Sequence, residues 1–161
     1  MQRIRLVARQ LQSNIQSNRY QIARMSSIPQ TMKALQIHSQ GGLDVLAIHD
    51  IPVPKPKEDE VLVKVEHSGV NYIDTYLRGG LYPRDMPFIL GNEPSGTVVE
   101  VGANQKSKGI NVGDRITSYI GGGGFAEYVS VPRSKAFKLP DAVDTKLGAA
   151  ATLQGLTGEF Q

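Results

Sequence analysis

The sequence has 161 residues, enough for one domain with a buried core, and no apolar run of the roughly 20 residues needed to cross a bilayer. It has no cysteine and three scattered histidines, His38, His49 and His67, which excludes disulfides and thiol chemistry and argues against a structural zinc site. The net charge of +3 is uneven: five of the 18 Lys and Arg (Arg3, Arg5, Arg9, Arg19, Arg24) fall in residues 1–31, which hold no acid, so the body carries 13 bases against 15 acids and offers no basic face for nucleic acid.

Residues 1–31 are Arg-rich, Ser/Gln/Asn-rich and acid-free, the composition of a mitochondrial targeting leader. Ile4, Val7, Leu11 and Ile15 fall on one face of a helix, with Arg3, Arg5 and Arg9 beside them. The competing reading is a basic, disordered tail. A start at Met25 or Met32 instead of Met1 gives a cytosolic form.

The character changes at Met32. MKALQIH alternates as a strand, GGLD is a turn, and VLAIHDIPVP is a second strand closed by Pro52 and Pro54. After the charged loop Lys55–Glu60, VLVKVEHSGV puts Val61, Val63 and Val65 on one face and Leu62, Lys64 and Glu66 on the other. NYIDTYLRGG predicts a short helix stopped at Gly79-Gly80. SGTVVEVG, RITSYI and FAEYVSVP are further strands, and Asp144 predicts the N-cap of a helix over Lys146–Leu153. Short strands at regular spacing predict a mainly β fold with short helices, a barrel or partly open barrel. Strands do not alternate with long helices, so no doubly wound sheet is expected within the chain.

The densest run of polar groups able to line a cleft is Val70–Gly102, with Asn71, Asp74, Thr75, Tyr76, Arg78 and Tyr82. A tyrosine can stack on a planar ligand while its hydroxyl hydrogen-bonds, and an asparagine offers donor and acceptor to a carboxamide or ribose. On spacing alone, Tyr76 packs in the core, three residues after Ile73, as readily as it meets a ligand. Glu93, in GNEP, is expected to accept backbone N–H groups and fix its loop, and Asp114 to cap a turn. The four glycines at 121–124 precede a strand and read as a turn, not a phosphate loop. Each histidine reads as a half-buried strand residue rather than a ligand or base. No serine sits in a nucleophile elbow and no carboxylates are paired, so no catalytic acid, base or nucleophile is assigned.

Five stretches in order, MKALQIHSQGGLDVLAIHDIPVP, SGVNYIDTYLRGGLYP, LGNEPSGTVVEVG, NVGDRI and AAATLQGLTG, resemble the N-terminal, GroES-like domain of the medium-chain dehydrogenase/reductase superfamily, and within it the quinone oxidoreductase (zeta-crystallin-like) branch. The resemblance spans residues 32–157. Zinc-dependent members carry Gly-His-Glu, with His a zinc ligand, where this chain has Gly91-Asn92-Glu93, and a Cys ligand near Val70-Asn71, where it has none. The resemblance therefore implies a zinc-independent NADPH:quinone oxidoreductase. Asn71 and Tyr76 would contact the cofactor near the nicotinamide, Thr157 would sit by the carboxamide, and Tyr82 would line the quinone side. The family continues from LQGLT into a Rossmann domain that these residues lack, so 158–161 reads as a truncated tail and the chain alone is expected to be inactive or nearly so. The resemblance also admits a homodimer, or a heterodimer with a full-length form. The alternatives are a mitochondrial enoyl-thioester reductase fragment and a non-catalytic GroES-like binding or dominant-negative module; a co-chaperonin would need a long mobile loop that the close-set strands do not offer.

Overall fold

The computed structural model describes residues 28–104 and 109–159. Residues 1–27, on which the targeting expectation rests, lie outside them. In chain order the elements are β1 (Thr31–Ile37), β2 (Ala47–Pro52), β3 (Glu60–Gly69), α1 (Tyr72–Gly79), β4 (Phe88–Ile89), β5 (Glu93–Val101), β6 (Arg115–Ser118), β7 (Tyr128–Pro132), β8 (Ala136–Lys138) and α2 (Thr145–Glu159). β1 lies between β2 and β4 in a three-stranded sheet, and the larger sheet runs β7-β3-β5-β6-β8. All of these pairings are antiparallel.

Residues 125–127 join the two sheets. Leu35 donates its N–H to Phe125 O at 2.8 Å, Glu127 to Lys33 O at 3.0 Å, and Val65 to Glu127 O at 2.9 Å. The result is the expected mainly β, partly open barrel with two helices.

Alternation explains the core. Val61, Val63, Val98, Ile116, Val129 and Val131 are buried together between the strands of the larger sheet. Each such side chain contributes about 1.5–3 kcal/mol by leaving water. Leu62 departs from the two-face reading of β3. Lys64 and Glu66 on its face are exposed, but Leu62 is buried against Met32 and Tyr128, because β1 and β7 cover that end of the strand. A third cluster, Ile37, Leu77 and Leu90, seats α1 on the barrel.

Other departures have local causes. β4 and β8 are too short to show alternation and exist through pairing, Ile37 with Phe88 and Thr117 with Phe137. GGLD forms a short 3-10 turn at Leu43–Val45. His38 is exposed in a bend just past β1, not in a strand. α2 begins at Thr145, with Asp144 accepting the Leu147 N–H at 2.7 Å as its cap, and it continues through Glu159. Residues 158 and 159 are helical. α2 rests on the sheet through Gly148, where a Cβ would come 2.9 Å from both Leu139 and Ser95 Oγ. Asp114 accepts the Asn111 N–H at 2.8 Å and pairs with Lys138 at 2.8 Å. Burial pushes its carboxyl up, but these two partners outweigh burial and hold it below the ordinary aspartate value.

At Gly96 strands β3 and β5 approach so closely that an added Cβ would lie 2.0 Å from Lys64 O. Gly79, at the end of α1, has open space and ordinary backbone angles. Gly96→Ala is expected to lower stability by about 1–3 kcal/mol, while Gly79→Ala is neutral or raises it by up to about 1 kcal/mol. Chemical denaturation of the two variants checks the contrast.

Candidate functional site

β3 delivers the chain to the site through a bulge. Val65 pairs with Gly96 and His67 with Ser95, which leaves Glu66 as the extra residue. The Glu66 carboxylate accepts the hydroxyls of Thr97 (2.7 Å) and Thr145 (2.9 Å), which fixes the bulge to the start of α2. Past Gly69, Asn71 is extended, with φ −124° and ψ 155°, and forms the N-cap of α1.

Asp74, in the first turn of α1, is buried. One carboxylate oxygen accepts the Asn71 N–H at 2.9 Å. The other accepts the Gly91 N–H at 3.2 Å and the Asn92 carboxamide at 2.6 Å. Asp74 thus joins the start of α1 to the loop before β5.

Glu93 is 0 % exposed. Its carboxylate passes over Gly69, where a Cβ would lie 2.2 Å from Oε2. One oxygen accepts the Asn71 side-chain amide at 3.0 Å and the other accepts the Leu153 N–H, in α2, at 2.5 Å. The Gln154 carboxamide completes the cluster, 3.3 Å from Asn71 Oδ1. Glu93 does bind a backbone N–H as expected, but that N–H belongs to a helix 60 residues away and not to its own loop.

On α1, Ile73 and Leu77 face the core. Tyr76 does not join them. It is 37 % exposed and sits between two rings, 5.3 Å from Tyr72 and 5.9 Å from Tyr82, both edge-on. Gly80, with φ 86°, adopts the left-handed conformation that ends the helix. The Leu81 N–H returns to Tyr76 O at 3.0 Å, and the chain turns back to bring Tyr82 against Tyr76. Arg78 and Thr75 are used locally: Arg78 donates to Gly41 O at 3.3 Å and Thr75 to Tyr72 O at 2.7 Å.

The structure therefore brings Tyr76 and Tyr82 together and ties Asn71 to α2. Thr157 lies one turn beyond Gln154 on α2, and its hydroxyl donates to Leu153 O at 2.7 Å within its own helix. Sequence reasoning missed Tyr72, Gln154 and the Glu93–Asn71 contact. Tyr72 was detectable, since it lies four residues before Tyr76 on a predicted helix. Among the described residues no group of three or more His, Asp or Glu side chains converges as a metal site.

Residues 57–141, more than half of the chain, match the alcohol dehydrogenase GroES-like domain. The chain belongs to that family. It is similar to the human quinone oxidoreductase, 38% identical over 130 residues, which cover 78% of this chain and 39% of that protein. Among solved structures it superposes on a mycobacterial quinone oxidoreductase with a TM-score of 0.76 at 43% identity, covering 80% of this chain and 40% of that one. An Escherichia coli quinone oxidoreductase solved with NADPH gives 0.73 at 33% identity, covering 80% and 39%. The chain spans about two fifths of the length of these relatives. The family match contains Asn71, Tyr76 and Tyr82, and Thr157 lies beyond it.

Truncating Glu93 leaves the Asn71 amide and the Leu153 N–H without their buried acceptor. Glu93→Ala is expected to cost about 3 kcal/mol, and Glu93→Gln, which keeps an acceptor oxygen and the volume, about half of that. Denaturant titration of both variants checks the order.

Proposed function

We propose that this chain forms the substrate-side part of a zinc-independent NADPH:quinone oxidoreductase. The observation that carries the reading is the exposed Tyr72–Tyr76–Tyr82 ladder directly following Asn71, in a domain similar to quinone oxidoreductases. NADPH, when bound, supplies the hydride. Asn71 and Tyr76 orient its nicotinamide end. Asn71 keeps hydrogen-bonding capacity beyond its bond to Glu93. Thr157, whose proton is committed to Leu153 O, offers its oxygen as an acceptor for a carboxamide N–H. Tyr82 and Tyr76 present ring surface to a planar quinone.

No protein acid or base is assigned. Asp74 and Glu93 are buried and bound to N–H groups, and holding donor and acceptor in register is what this face contributes. A catalytic zinc does not fit: the side chains clustered here are Asn71, Asp74, Asn92 and Glu93, with neither sulfur nor imidazole among them, and the nearby His67 contacts the Thr145 hydroxyl at 3.1 Å. No strand among the described residues leads through a Gly-rich turn into a helix that could hold a pyrophosphate, so these residues alone bind NADPH weakly and turn over quinone slowly. The acid-free, Arg-rich residues 1–31 support delivery to the mitochondrial matrix.

The chain has six tyrosines, whose assigned ring resonances report binding. A soluble naphthoquinone and NADPH are each expected to shift the ring resonances of Tyr76 and Tyr82, and Tyr76→Ala to weaken quinone binding by about 3- to 10-fold through lost ring contact. Shifts confined to Tyr119 and Tyr128 instead would contradict the assignment.

A further inference from the structure

His38 and His49 are 11 positions apart in sequence, yet the fold sets them side by side. Their ring centroids are 4.7 Å apart and the planes are tilted by 60°. His49 lies on β2 opposite Ala34, and His38 sits in the bend that follows β1. His38 is exposed and His49 half-buried, so solvent reaches the pair. The third histidine, His67, has a different setting, with Nδ1 3.1 Å from the Thr145 hydroxyl. The Lys33–Asp50 ion pair is one residue out of step with the Ala34–His49 pair, so strand alternation puts the Lys33 ammonium on the opposite face of the sheet.

The spacing matches two imidazoles sharing one ion. A metal–nitrogen bond is about 2.0–2.1 Å, which puts each ring centroid about 3.2 Å from the metal. Ligand angles from about 90° to 109° then place two centroids about 4.5–5.2 Å apart, and the observed 4.7 Å lies within that range. Rings tilted by 60° at this distance fit an edge contact as well as a shared ion, and a half-turn about χ2 selects which nitrogen of each ring faces the gap.

We infer that His38 and His49 form a two-histidine clamp for a divalent transition-metal ion such as Zn2+, Ni2+ or Cu2+, with water completing the coordination. The clamp involves none of the residues placed in the quinone and cofactor face, and it joins the bend after β1 to strand β2. By the ordinary order of divalent affinities, Cu2+ binds more tightly than Ni2+ or Zn2+.

The test is titration of the purified chain with Zn2+, following the Cε1–H resonances of all three histidines. His38 and His49 are expected to move together and saturate at one ion per chain, with His67 unmoved. His38→Ala and His49→Ala should each weaken the midpoint at least tenfold, and His67→Ala should leave it unchanged. A response shared equally by all three rings, no saturation, or an unchanged midpoint in His38→Ala would overturn the clamp. His38 is exposed, so its variant decides the matter even if His49→Ala does not fold.

Discussion

The site depends on a carboxylate fully removed from water. Glu93 has neutral donors to offset its desolvation, the Asn71 amide and the Leu153 N–H, and these come from two helices, the N-cap of α1 and the body of α2. A buried carboxylate is tolerated only when donors of this kind are held in place, so its burial and the positions of α1 and α2 are mutually dependent. Gly69 is part of the same constraint, because a Cβ there would lie 2.2 Å from the carboxylate oxygen that accepts from Asn71 and 2.7 Å from Ala149 O.

This arrangement sorts the polar groups of the segment. Asp74, Arg78 and Thr75 are committed to holding the backbone, and so cannot serve a ligand without loosening the fold. Three tyrosines edge to edge remain outward, with Val70, Leu81, Arg84 and Asp85 also exposed in the same segment. A face with ring surface and a carboxamide has the chemistry to bind and orient planar molecules.

β1, β3 and β7 were legible from alternation because one face of each is mostly buried, and β5, buried on both faces along its first half, from its run of β-branched residues. The end of α1 at Gly79-Gly80 and the cap at Asp144 were legible because their chemistry is local. β4 and β8 were not, since two or three residues carry no periodicity and their existence rests on partners far along the chain. The burial of Leu62 was hidden for the same reason: it depends on β1 crossing above it. Asn71, Tyr76 and Tyr82 could be singled out as residue types, but not the long-range contacts that decide their exposure. The sequence could not choose between a core and an outward position for Tyr76. The structure turns it outward, because Ile73 and Leu77 already fill the core side of α1. The meeting of His38 and His49 had no sequence signal at all.

The most direct test of this account is the hydrogen exchange of two groups by nuclear magnetic resonance, the Leu153 amide and the Asn71 side-chain amide. If Glu93 ties α1 to α2, the Leu153 N–H resonates far downfield and exchanges slowly, and the Asn71 amide protons are slowed with it. If instead Leu153 exchanges as fast as the exposed Gly158 and the Asn71 amide behaves as a free side chain, the carboxylate does not hold the two helices together and the site is not built as described.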